Sequence, residues 1–176
     1  MGPMGIKADE GWMLLLFIAA DFAVAGVGSR LGERRPGAAV WYASLRRPRH
    51  YPAAWVFAPI WSLVGLSTGI AGWLIWRQGQ AGAPATALVF YGLQLLFQAV
   101  WQGVVIGSRR LGGGVALGLL LWGTITLTAW EAARSPGGAW WWLLPYWLWT
   151  GYCVRLNYEL WRLNPAPEPP EVPALS

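Results

Sequence analysis

Charged side chains fall in bursts along this chain, and the stretches between them are long. No Asp, Glu, Lys or Arg occurs from Tyr51 to Trp76, from Gln78 to Ser108, from Leu111 to Trp130, or from Ser135 to Val154. Each run reaches or exceeds the roughly 20 residues that a helix needs to cross hydrocarbon. A further run, Gly11–Ser29, is broken by one acid, Asp21. The pattern predicts an all-α membrane protein, a bundle of five transmembrane helices at about 11–29, 52–76, 84–107, 111–133 and 139–163. An extramembrane segment 1–10 precedes them, a long connection 30–51 joins the first two, and a proline-rich acidic tail, 164–176, reads as disordered. Pro52 suits a helix start, Pro59 predicts a kink or a later start, Pro84 opens the third helix and Pro145 falls inside the fifth. A β-barrel does not fit, because its strands are about 10 residues long and alternate in polarity. A cleaved leader does not fit either: Asp9 and Glu10 stand beside Lys7, and Ala38-Ala39-Val40 lies too far downstream for a cleavage site.

Composition agrees. Hydrophobic residues make up 56% of the 176 and charged residues 12%, about half the charged share of a soluble domain. The net charge of +5 would fit nucleic acid, but its placement argues for a membrane. With five spans, one side holds Lys7, Arg77 and Arg134; the other holds Arg30, Arg34, Arg35, Arg46, Arg47, Arg49, Arg109, Arg110, Arg155 and Arg162. That asymmetry puts the N-terminus outside and the C-terminus in the cytoplasm, with the basic side against anionic lipid heads; the expected location is a bacterial cell membrane. The single cysteine, Cys153, excludes an internal disulfide, and the single histidine, His50, leaves no metal ligand set and no ready Ser-His-Asp arrangement. No intrinsic cofactor is expected.

Fifteen tryptophans change the picture further. Trp12, Trp41, Trp76, Trp130, Trp140–Trp142 and Trp161 fall near predicted helix ends, where interfacial Trp belongs. Trp61, Trp101 and Trp149 lie deeper. At 100° per residue, Gln94, Gln98 and Trp101 share one face of the third helix within about 60°, and buried amides normally point into a bundle. Opposite them, Ala99, Gly103 and Gly107 form a small-residue stripe for close helix approach, either within the chain or across a homodimer. The fifth helix gathers Tyr146, Trp149, Thr150, Cys153 and Asn157 on one face; the second places Trp61 with Phe57, Gly65, Thr68 and Gly72. Three faces of rings with a few hydrogen-bonding groups are the expected lining for a large planar apolar ligand, and ordinary packing is the competing account. Asp21 and Arg155 are placed at matching depths for an ion pair, with snorkelling of Arg155 as the alternative. Val154-x3-Tyr158-x3-Arg162 and Leu156-x-Tyr158-x3-Arg162 fit the proposed cholesterol-contact pattern, a weak signal by itself.

Three ordered blocks, WYASLRRPRHYPAAWVFAPIW, YGLQLLFQAVW and PYWLWTGYCVRLNYELWRLN, resemble the tryptophan-rich sensory protein and translocator protein family (TspO/MBR), also known as peripheral-type benzodiazepine receptors. The resemblance covers about Trp41–Asn164. It implies a five-helix bundle, commonly dimeric, that binds porphyrins, sterol-like lipids and benzodiazepine-type drugs, with light-dependent protoporphyrin degradation in some bacterial members. By motif it places pocket tryptophans at Trp61 and Trp149, a loop tyrosine at Tyr42, pocket amides at Gln94 and Gln98, and a small position at Gly151. The sterol motif then falls on Leu156, Asn157, Tyr158 and Arg162. Gln98 stands where Asn is frequent and Val64 where Tyr is frequent, and the first connection is longer, so pocket shape differs. Asp21 inherits no role. The resulting expectation is a porphyrin-binding membrane receptor or sensor. Its alternatives are a photochemical porphyrin-degrading enzyme using Trp61 and Trp149, and a tetrapyrrole or lipid transporter. The scarcity of intramembrane charge beyond Asp21 and Arg155 counts against the transporter.

Overall fold

The computed structural model describes residues 8–81 and 85–165, with side chains from Gly11 onward; most of the expected N-terminal segment and tail, and Pro84, lie outside them. The described residues are mostly helical and contain no strand. Helix α1 spans Ala8–Glu33, α2 Ala38–Ser44, α3 Ala54–Gln80, α4 Thr86–Gln102, α5 Leu111–Ala133 and α6 Leu144–Leu163. Four of them, counting α4 with its continuation to Gly107, are long and apolar enough to cross a membrane. By composition α6 stands outside that set, because Arg155, Asn157, Glu159 and Arg162 crowd its second half.

Local chemistry sets the helix boundaries. Helix α3 runs through Pro59 without a break and begins at Ala54, so the later start is not taken. The expected fifth span divides: Ala139–Leu143 is a 3₁₀ turn, and α6 proper starts at Leu144. Pro145 therefore occupies a first turn, where a missing N–H costs nothing. Gly137 and Gly138 carry positive φ in the turn before it, a conformation that side chains resist. Helix α4 loosens into one π turn, Gly103–Gly107, closed by the Ser108 N–H donating to the Gly103 carbonyl at 2.8 Å. The connection between α1 and α3 is partly ordered as α2, which carries Trp41 and Tyr42.

Two apolar clusters hold the bundle. Ala71, Ile75, Ala87, Ala132, Ala139 and Leu143 close one end, and Val64, Leu121, Ile125 and Tyr146 fill the middle. Close backbone approach knits α1 to its neighbours. A Cβ on Gly69 would lie 2.7 Å from the Ile18 Cα, and one on Gly107 would lie 2.5 Å from the Leu31 carbonyl. The small stripe therefore meets α1 of the same chain: Gly103 and Gly107 face Leu31, and the Ala99 carbonyl faces Gly28. Close packing leaves no room there for a second chain, so a homodimer would need another surface. Outward, Leu15, Leu16, Leu63, Leu119, Leu120, Leu127 and Leu148 are exposed, an apolar girdle that water would penalise and lipid would not.

Polar contacts identify the ends. Gln78, near the end of α3, donates to the Pro136 carbonyl in the turn before α6. At the other end of α6, Asn164 and Arg46 exchange two hydrogen bonds of 2.9 and 3.0 Å, and the Arg109 guanidinium lies 5.5 Å from the Trp41 ring centre. Helix α6 thus traverses the whole bundle. The arginine-rich connection, the α4–α5 turn and the end of α6 lie together.

Candidate functional site

Near that basic end the helices part. An inner chamber of about 370 Å³ lies among α1, α3, α4, α5 and α6, lined by Asp21, Phe22, Trp61, Gly65, Gln98, Trp101, Thr150, Cys153 and Asn157 among others. A second chamber of about 380 Å³ lies beneath the connection and is lined by Tyr42, Arg47, Tyr51, Phe57, Trp61, Trp101, Cys153, Leu156 and Asn157. Trp61, Trp101, Gln102, Cys153 and Asn157 wall both. Each chamber falls within the roughly 300–1,000 Å³ typical of small-molecule sites.

The aromatic wall is continuous. Trp61 meets Tyr146 and Trp149 edge-on, with ring centres 6.3 and 6.4 Å apart. Trp149 in turn meets Phe57 at 5.7 Å and Tyr152 at 5.6 Å, and Phe57 meets Tyr51 at 5.7 Å. Edge-to-face contacts suit the ring quadrupoles and fix ring orientation. Trp101 is held by its indole N–H, which donates to the Gly114 carbonyl at 3.2 Å. Gln98 is oriented by the Tyr146 hydroxyl, which donates to its Oε1 at 2.7 Å.

Several polar atoms on these walls have no partner among the described residues. The Thr150 Oγ1 and the Asn157 Oδ1 are buried without a hydrogen bond, and both residues line the inner chamber. Buried groups of this kind are costly unless something satisfies them. Asp21 is only 2% exposed; the Tyr91 hydroxyl donates to its Oδ2 at 2.7 Å. Its expected partner Arg155 is elsewhere, exposed and bonded to Glu159 at 3.0 Å.

Above the second chamber the connection is fastened down. Tyr42 and Tyr51 share a hydroxyl–hydroxyl bond of 3.3 Å, Arg47 lies 4.8 Å from the Tyr51 ring centre, and His50 meets Glu159 at 3.2 Å. Burial pushes the Tyr42 phenol up, so it stays a neutral donor and acceptor.

Of the residues expected from sequence, the chambers bring together Tyr42, Trp61, Gln98, Trp101, Cys153, Leu156 and Asn157. Gln94 is not among them. It is fully buried and accepts a hydrogen bond from Thr128 on α5 at 3.3 Å, because one turn along α4 its face meets a helix instead of the gap. Tyr146 is also fully buried and supports Gln98, and Trp149 stands behind Trp61, its indole N–H without a partner among the described residues. Gly151 faces outward: a Cβ there would meet the Trp122 indole nitrogen at 3.1 Å. It lines a groove between α5 and α6 with Trp122, Trp147 and Tyr158. The sterol motif is therefore split, with Leu156 and Asn157 inward, Tyr158 outward and the Arg162 guanidinium 5.9 Å from the Tyr158 ring centre. Asn164 and Glu159, which hold the connection, lay inside a recognisable block but carried no signal of a distant partner.

The chain is similar to known proteins over most of its length. It is 32% identical to ovine (Ovis aries) translocator protein across 70% of this chain and 75% of that one. It is 31% identical to the tryptophan-rich sensory protein of Cereibacter sphaeroides, covering 87% and 92% of the two chains. Protein CrtK of Rhodobacter capsulatus is 29% identical, with 89% and 97% covered. The TspO/MBR family profile matches residues 14–162. With its Trp-walled chambers and apolar helices, the chain belongs to the TspO/MBR family of membrane proteins.

Proposed function

We propose that this protein is a membrane receptor or sensor that binds a porphyrin-type tetrapyrrole in the two chambers. The supporting observation is the Trp61–Trp101 wall shared by both, beside which the Thr150 Oγ1 and Asn157 Oδ1 are buried without a partner among the described residues. A planar macrocycle stacks on indole faces, the Gln98 amide on the inner wall suits its polar edge, and Arg47 at the loop chamber supplies positive charge for acidic substituents. The same walls suit benzodiazepine-type aromatic drugs. The outer α5–α6 groove beside Tyr158 suits a sterol-like or other membrane lipid. The test is a titration of purified protein with protoporphyrin, followed by tryptophan quenching. Saturable quenching at one porphyrin per chain is expected, and quenching no greater than that of N-acetyltryptophanamide in the same micelles would end the reading.

A second reading, light-driven porphyrin consumption, is favoured by one observation. Trp61, Trp149 and Tyr152 form a ring relay leading away from the chamber wall, an arrangement that suits electron supply to an excited ligand. The relatives' names speak of translocation and sensing, and either role begins with binding.

The same proposal takes α6 as a fifth crossing. Its 20 residues span about 30 Å as a helix, and its ends lie at opposite ends of the bundle. The arginine-rich end then faces the cytoplasm. Ser44 is exposed on α2 at that end, so a Ser44→Cys variant should resist impermeant maleimide on intact cells and react once they are opened. Ready labelling of intact cells would invert the topology.

A further inference from the structure

The inner chamber has an uneven supply of charge. Two of its donors are committed, the Trp101 N–H to Gly114 and the Asn157 amide N–H to the Cys153 carbonyl. Its one carboxylate, Asp21, has one hydrogen bond among the described residues, from Tyr91 to Oδ2. Among the described residues no Arg, Lys or His lines this chamber. A carboxyl enclosed by apolar helices with a single neutral donor is expensive, and an ion pair with an arriving cation would offset that cost. A buried acid without a counter-charge among the described lining residues asks for a ligand that brings one.

We infer that Asp21 is a recognition site for a basic nitrogen, and that the inner chamber prefers planar aromatic ligands carrying an ammonium or comparable N–H donor. The ring system would rest against Trp61 and Trp101, the nitrogen against the second carboxylate oxygen of Asp21. The inference deepens the ligand-binding reading above and rests on it. Hydrogen bonds to charged groups are strong enough to set a preference of roughly ten- to hundredfold over a neutral analogue of the same shape.

Three probes of one shape test this at pH 7: 1-pyrenemethylamine, 1-methylpyrene and 1-pyrenecarboxylate, each titrated into purified full-length protein by tryptophan quenching against N-acetyltryptophanamide in the same micelles. The parent should bind the amine at least about tenfold more tightly than the neutral probe, and the carboxylate no better than the neutral one. Asp21→Asn keeps the size and an acceptor for Tyr91. It should bring the ratio of amine to neutral affinity from at least about tenfold down to about one. The parent ranking stands as a test even if the variant fails to fold. Equal parent affinities for amine and neutral probe, or a preference that survives Asp21→Asn, would overturn the inference and leave porphyrin binding untouched. If neither the neutral probe nor protoporphyrin quenches the parent, the ligand-binding reading itself falls, and this inference falls with it.

Discussion

Trp61→Ala should weaken protoporphyrin binding about ten- to hundredfold, whereas Trp149→Phe should leave it within a few-fold of the parent. The contrast follows from position. Trp61 walls both chambers, so alanine removes a buried ring face and its stacking contact together. Trp149 touches Trp61 edge-on from behind, and phenylalanine preserves an edge for it to rest on. Trp61→Phe keeps a smaller ring at the wall and should lose no more than about tenfold. Light separates the roles further. If the protein consumes porphyrin, Trp149→Phe should bind in darkness yet lose most light-dependent bleaching, because an electron relay needs the indole. The measurement is porphyrin absorbance with and without illumination, beside dark titrations. Unchanged binding in Trp61→Ala would make the tryptophan a packing residue. Bleaching absent in the parent would remove the enzyme reading and leave the receptor.

Much of this arrangement could be read from the chain because a bilayer imposes a coarse rule on it. Charge-free runs located α3, α4 and α5 to within a few residues, and for α5 the expected 111–133 is the observed Leu111–Ala133. The rule is coarse for the same reason. It weighs composition, so it does not distinguish an α turn from the π turn at Gly103–Gly107 or from the 3₁₀ turn at Ala139–Leu143. Both arise where glycine or a bulky tryptophan run meets a neighbour. Helix α2 was missed because seven residues are too few to show a period.

The site was legible by direction and illegible by neighbour. Angular arithmetic correctly grouped Gln98 with Trp101, yet it grouped Gln94 with them equally, and only packing decides that Gln94 meets Thr128. The stripe of Ala99, Gly103 and Gly107 was visible as a surface for close approach; that its partner is Leu31 of the same chain is a tertiary fact. Asp21 makes the point most sharply. Its depth invited a partner of opposite charge, and Arg155 was placed at matching depth. In the fold, Arg155 lies on the outer face of α6 beside Glu159, and the acid finds a phenol from α4.

Gly69→Leu should abolish the folded bundle, and Gly69→Ala should already cost roughly 1–3 kcal/mol. Three glycines of α3 run along its contact with α1. Gly65 faces the Phe22 ring, Gly69 faces Ile18, and Gly72 faces Phe17 and Tyr91. These contacts differ in what can yield. At Gly65 the nearest atom is a ring carbon 3.6 Å from an added Cβ, which is ordinary van der Waals distance. At Gly69 the neighbours include the Ile18 Cα at 2.7 Å and its backbone nitrogen at 3.0 Å. A backbone cannot rotate away as a side chain can, so α1 must move as a whole. Moving α1 shifts Phe22 and Asp21, which line the inner chamber, and draws Asp21 away from Tyr91. Gly69→Ala should therefore unfold at lower denaturant in detergent and bind protoporphyrin more weakly, while Gly65→Ala should do neither to a comparable degree. Near-ultraviolet circular dichroism and gel filtration across a denaturant series would measure the first, and tryptophan quenching the second. Equal stability of Gly65→Ala and Gly69→Ala would show that α1 is not held at Ile18, and the chamber wall it provides would then be adjustable.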